Sequence, residues 1–156
     1  MTYKFRRFVV PPSPAYPSGA IYRPVIPIWV GPRGGPLKPY FGLLDTGSDD
    51  TKLPLSEAER LGVALDRGHP VPFRGVGGFA VGYYGEVVLE LRQSPKVYSW
   101  VARAVFLPLP PGSDLEDRTT ITLGHAGFFR HFHVGFDYQR YRVELKPNRL
   151  FAGQQT

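Results

Sequence analysis

Residues 41–50 read Phe-Gly-Leu-Leu-Asp-Thr-Gly-Ser-Asp-Asp, FGLLDTGSDD. Leu43 and Leu44 run straight into Asp45, and the acid is followed by a small turn and two further acids. A solvated loop accounts for the acids but not for the leucines beside them. A buried strand that ends in a carboxylate accounts for both. Thr46 offers a hydroxyl that can lock the turn, and Gly47 lets another backbone come close. A carboxylate so placed faces a cleft while partly withdrawn from water. Two of them held close cannot both ionise, so they share a proton. One then acts as base on a water while the other polarises a carbonyl. That is the chemistry of peptide hydrolysis without a metal or a covalent intermediate. By itself the tripeptide is more often a plain turn than a catalytic one.

The rest of the chain supports a β-rich setting. With 156 residues it is long enough for one domain with its own core, and 42% hydrophobic residues mark it as folded rather than disordered. Its 18 glycines and 17 prolines interrupt long helices and favour short strands joined by turns. The expectation is an all-β domain with one or two short helices. Residues 1–20 read as an extended, Pro-rich N-terminal arm, 21–150 as the domain, and 151–156 as a C-terminal tail. Pro24 and Pro27 in IYRPVIPIWV (21–30) point to an edge strand or a bulge. Ser56 followed by Glu59 reads as a capping box for a helix over about 57–61, closed by Gly62. Alternating Phe132, Val134, Phe136 and Tyr141, Val143, Leu145 predict a terminal hairpin.

The net charge of +6 raises nucleic acid or an acidic partner as candidates. The basic residues are dispersed, apart from YKFRR (3–7) and RYRVELKPNR (140–149), and no base-stacking motif accompanies them. A solvated basic surface is the better reading, with no nucleic-acid partner. The sequence has no cysteine, which excludes disulfides and thiolate metal sites. His131 and His133, with His125 nearby, are too thin a set for zinc, so no metal and no cofactor are expected. Near the start, the apolar run Phe8-Val9-Val10 is cut off by Pro11-Pro12. It is too short for a signal peptide or a membrane span, so a soluble cytoplasmic protein without a membrane partner is expected.

Two further stretches gain meaning from the first. Gly75-Val76-Gly77-Gly78-Phe79-Ala80 mimics a dinucleotide fingerprint, but strand-like VGYYGEVVLEL follows it where that motif needs a helix. It reads instead as the glycine tip of a hairpin, able to close over a cleft. Thr122-Leu123-Gly124, before the short helix expected in HAGFFRH (125–131), is by itself a plain strand-to-helix turn.

In one order, LLDTGSDD, GVGGF and TLG resemble the retropepsin family of aspartic proteases, the retroviral-type proteases and their cellular relatives. The resemblance spans about residues 22–147. It implies a retropepsin-like barrel with a flap hairpin. Asp45 then corresponds to the catalytic acid, and Thr46 to the residue whose hydroxyl grips its mate across a dimer axis. Gly47 corresponds to the acceptor of a substrate amide hydrogen. Ser48 occupies the position whose hydroxyl can bond the aspartate. Asp49 and Asp50 fall at substrate-backbone and subsite positions. Gly75, Val76, Gly77, Gly78 and Phe79 form the flap tip, and Gly124 closes the hydrophobic-hydrophobic-Gly element. Retroviral members usually follow that glycine with an arginine that pairs with the acid at Asp49. Here His125 stands there, with Arg130 as another candidate for the pairing.

The chemistry needs two carboxylates, and the sequence holds one Asp-Thr-Gly. A C2 homodimer supplies the second. The function implied is an aspartic endopeptidase acting on a peptide or protein substrate. The alternative is a non-catalytic dimerisation or peptide-binding module on the same fold.

Overall fold

Burial alternates with period two along the longest strands, which is the signature of a sheet wrapped around a core. Val87, Leu89 and Leu91 are fully buried on one strand, and Trp100, Ala102, Ala104 and Phe106 on the next. They meet in pairs across the ladder, Leu89 opposite Trp100 and Val87 opposite Ala102. The computed structural model describes residues 1–75, 78–109 and 120–155. In chain order its strands are β1 (Thr2–Lys4), β2 (Arg6–Val9), β3 (Ala20–Arg23), β4 (Val25–Gly31), β5 (Lys38–Leu44) and β6 (Thr51–Pro54). Helix α1 (Ser56–Leu61) follows, then β7 (Leu65–Gly75), β8 (Gly78–Gln93), β9 (Lys96–Leu107) and β10 (Thr120–Leu123). A π-helical turn (His125–Phe129) leads into β11 (Phe132–Asp137), β12 (Arg142–Pro147) and β13 (Gln154–Gln155).

Six of these strands close a barrel in the order β9, β6, β10, β5, β4, β8 and back to β9. Closure removes the unpaired edges that an open sheet of this size would carry. Most neighbours are antiparallel, but β10 runs parallel to β5, and β6 parallel to β9. The interior holds Ile26, Ile28, Leu53, Phe106, Ile121, Leu123 and Phe128, all at most 2% exposed. The all-β fold with few short helices expected from the sequence is the fold observed.

The proline-bearing strand needs a correction. The stretch 21–30 is two strands split at Pro24, and β4 is a full member of the ring rather than an edge. Pro27 is tolerated because it sits opposite Phe41 on β5, while pairing with β8 begins only at Trp29. Its missing N–H therefore falls where the strand has a neighbour on one side.

The expected capping box also does not form. Leu55 holds the N-cap position without a side-chain hydrogen bond, and Ser56 already lies in the helix. What anchors α1 is tertiary. The Tyr40 hydroxyl donates to the buried Glu57 carboxylate. Arg60 donates to that same carboxylate at 2.6 Å and to the Tyr40 oxygen at 2.7 Å. Gly62 ends the helix in the left-handed region, φ +74°, as its position predicts.

The terminal hairpin forms with Val134 opposite Leu145 and Phe136 opposite Val143. Segments from the start of the chain join it. Tyr3 of β1 pairs with Val143, and Lys4 with Arg142, so the two basic stretches meet in one small sheet. Arg142 is offset there by Asp137 and Glu144, each 3.3 Å away. The Arg6 guanidinium lies 4.0 Å over the Phe41 ring, a cation–π contact between β2 and the barrel. Phe151 packs edge-on against Tyr98 and Trp100.

Two outcomes test this packing. Tyr40→Phe leaves the buried Glu57 and the exposed Arg60 each short of a partner. The unfolding free energy should fall by about 1–3 kcal/mol in urea titrations. An unchanged midpoint would show that the cluster does not hold α1. His131 is buried, lies beside Trp100, and has its Nδ1 unpartnered. Burial pushes its imidazole below the ordinary value of 6.5. The folded chain then binds fewer protons than the unfolded chain, so this contribution to stability is complete above pH 6.5 and is lost as pH falls through the folded value. In His131→Phe the stability–pH curve should lose the slope that begins just below 6.5.

Candidate active site

Strands β5 and β10 lie side by side, point the same way and end together, with Leu44 opposite Leu123. The pairing runs one residue further, because the Asp45 N–H donates to the Leu123 carbonyl at 3.2 Å. Leu44 is 5% exposed and buried in the core, which explains the apolar approach to the acid. The chain then turns. The Ser48 N–H donates to the Asp45 carbonyl at 3.1 Å, and the Gly47 N–H to Asp45 Oδ1 at 3.0 Å. This is an Asx-type turn, in which the aspartate folds the backbone that follows it. A Cβ on Gly47 would stand 3.3 Å from that same oxygen, so glycine suits the position. Asp45 is half-buried, and Thr46, Gly47 and Asp49 are exposed.

The Ser48 hydroxyl does not bond the Asp45 carboxylate. The Ser48 side chain is buried, and its Oγ donates to the Asp50 carbonyl at 2.8 Å, so it locks the backbone of the acid run. The Asp50 carboxylate accepts from the Tyr84 hydroxyl at 3.4 Å. Burial first, and then the nearby Asp50 charge, push the Tyr84 phenol above its ordinary value. Arg103 covers the other side, with its guanidinium 4.0 Å over the Tyr84 ring.

Gly124 and the two residues after it grip this loop. The His125 N–H donates to the Ser48 carbonyl at 2.9 Å and the Ala126 N–H to the Asp49 carbonyl at 2.8 Å. The His125 ring reaches the Thr46 carbonyl with Nε2 at 2.8 Å. The approach is so close that a Cβ on Gly124 would lie 2.2 Å from the Asp50 carbonyl oxygen and 2.7 Å from that of Ser48. Thr51, fully buried, accepts the Gly124 N–H on its hydroxyl at 3.3 Å. Among the described residues neither His125 nor Arg130 forms an ion pair with Asp49.

The hairpin expected as a flap is formed by β7 and β8, with Arg74 opposite Phe79 and Gly75 opposite Gly78. Gly78 takes φ +108°, a conformation few other residues adopt. Phe79 is 72% exposed, a large apolar side chain held in water. Val76 and Gly77 lie outside the described residues. Thr51, Tyr84 and Arg103 had no role in the sequence reading. The one available signal was a threonine opening a buried strand directly after the acid run.

A family model described as aspartyl protease matches residues 27–124. That span takes in the acid loop, the flap hairpin and Gly124. The chain belongs to the aspartyl protease family. The three stretches LLDTGSDD, GVGGF and TLG all fall within the matched span. Among solved structures, it is similar to EIAV protease complexed with the inhibitor HBY-793, with 21% identity and a TM-score of 0.45 over 65% of this chain and 81% of that one. No curated protein matches it. Among the described residues no helix is long and apolar enough to cross a membrane.

The steric test of the close approach at Gly124 is Gly124→Ala. The new methyl would meet backbone, which cannot swing away as a side chain can, so a loss of about 3 kcal/mol is expected. A thermal melt equal to wild type would contradict the close approach.

Proposed function

We propose that this chain is an aspartic endopeptidase that works as a C2 homodimer, each copy supplying one Asp45. The carrying observation is the acid loop. Asp45 stands half-buried on a turn held by its own backbone bonds and by His125 and Ala126, and the exposed Thr46 and Gly47 lie beside it. A second acid of this kind is not offered by Asp137. That carboxylate is held by Arg140 at 3.0 Å and Arg142 at 3.3 Å, and the Arg140 hydrogen bond keeps it below its ordinary range. A two-fold axis beside Thr46 would bring two copies of Asp45 together.

In that dimer the pair holds one proton between its carboxylates. The ionised member takes a proton from a water as the water oxygen attacks the peptide carbonyl carbon. The protonated member donates to the carbonyl oxygen. Collapse of the tetrahedral intermediate breaks the C–N bond, the amine leaves with a proton from one carboxyl, and the other carboxylate takes a hydroxyl proton as the C=O reforms, which restores the shared proton. The Gly47 carbonyl takes a substrate amide hydrogen, and Asp49 and Asp50 border subsites for an extended peptide. The two hairpins of β7 and β8, with Gly78 and Phe79 near their tips, cover the bound chain and exclude water.

Cleavage of a peptide library by wild type and by Asp45→Asn tests the reading. Turnover should fall by about 10³-fold or more. Specific activity should also drop on dilution as the dimer dissociates. Equal cleavage by the variant, or full activity in a preparation that sediments as a monomer, would overturn it.

A further inference from the structure

The hydrogen bond from His125 to the Thr46 carbonyl has a second end. The carbonyl of Thr46 and the N–H of Gly47 belong to one planar peptide unit. On one side that unit accepts from His125 Nε2 at 2.8 Å. On the other it donates to Asp45 Oδ1 at 3.0 Å. A carbonyl oxygen only accepts, so Nε2 is the ring nitrogen that carries the proton. The imidazole is therefore joined to the carboxylate by two hydrogen bonds and a single rigid plane. Rotating that plane would break both bonds together, and polarising it at one end strengthens the bond at the other.

The other carbonyls of the loop are fixed differently. Those of Asp45, Ser48 and Asp49 accept from backbone N–H groups, and that of Asp50 from the Ser48 hydroxyl. Thr46 is the member whose carbonyl depends on a side chain from a distant part of the chain, and that side chain is His125. Gly47, next along, has a carbonyl that accepts no hydrogen bond among the described residues. It lies in the next peptide plane, whose Ser48 N–H donates to the Asp45 carbonyl at 3.1 Å, so that plane is held by backbone and not by His125. The His125 ring is itself steadied by Phe129, whose centroid lies 5.4 Å away.

We propose that His125 is a positioning residue for Asp45, acting through the Thr46–Gly47 peptide. It holds the plane that donates to the carboxylate. This rests on Asp45 being the catalytic acid for its effect on turnover, but not for its effect on the loop. The side chain needed at 125 is one with an N–H donor at this reach, and charge is not required.

Three full-length proteins test it: wild type, His125→Phe, which keeps a ring against Phe129 but has no donor, and His125→Gln, which restores an N–H. Two readouts are taken. Amide hydrogen exchange at Gly47 should be slow in wild type, faster by about ten-fold or more in His125→Phe, and slowed again in His125→Gln. In peptide cleavage kcat should fall by about 10- to 100-fold in His125→Phe with KM little changed, and recover in part in His125→Gln. A general loss of fold would speed exchange at core amides such as Leu89 as well, and would not be rescued by glutamine. Gly47 exchange in His125→Phe equal to wild type overturns the proposal, as does an equal loss in both variants. If the wild type cleaves no peptide, the exchange pattern still decides the role of His125, and the endopeptidase reading fails separately.

Discussion

The structure depends on a backbone exchange between two segments nearly eighty residues apart. Every carbonyl and N–H withdrawn from water needs a partner. A tight loop such as 45–50 cannot supply all of its own. The turn at 124–126 supplies the remainder, through the amides of His125 and Ala126 and the imidazole of His125. The exchange is possible because β5 and β10 are parallel neighbours that end at the same level of the barrel. Antiparallel neighbours would have placed one loop at each end. The close approach of the two segments removes the space for any side chain at 124. A Cβ on Gly42 would likewise stand 2.4 Å from the Leu123 side chain, so β5 and β10 are in tight contact before the loop begins.

The loop so held is rigid within a single chain, and its polar surface is directed outward. Asp45 Oδ1 is occupied by the Gly47 N–H, while Oδ2 has no hydrogen-bond partner among the described residues. The barrel thus presents a half-buried carboxylate whose backbone surroundings ask nothing of it. In a core such a group would be costly. In the proposed homodimer it would gain the second carboxylate and the shared proton that peptide hydrolysis requires. The proposed dimer would change the chemistry of the acid without refolding the loop that carries it.

Much of this was legible in the sequence because it is local. Alternation along 132–136 and 141–145 gave the hairpin, and Leu43-Leu44 before Asp45 gave the buried strand that ends in an acid. What was misread has a common cause. The Ser56–Glu59 box matches a cap pattern, but the first turn of α1 is held by Tyr40 and Arg60 through Glu57, a contact that no local rule describes. Pro27 reads as an edge marker, yet a strand in a closed barrel can lack a neighbour over part of its length. Ser48 was aimed at Asp45 by analogy, whereas its buried Oγ finds the nearer Asp50 carbonyl. Pairing of Tyr3 with Val143 joins the two ends of the chain and leaves no trace in either stretch alone.

His125 shows why a departure at one position need not weaken a site. An arginine there would grip a carboxylate, one side chain to another, and would engage Asp49 within the protomer. The imidazole is shorter and grips a backbone carbonyl instead. A strut directed at backbone leaves the neighbouring side chains unspent. Among the described residues neither the Thr46 hydroxyl nor the Asp49 carboxylate has a hydrogen-bond or ion-pair partner, and both residues are exposed. A donor, an acceptor and a charge therefore stand together on the surface beside Asp45, with the loop beneath them already fixed.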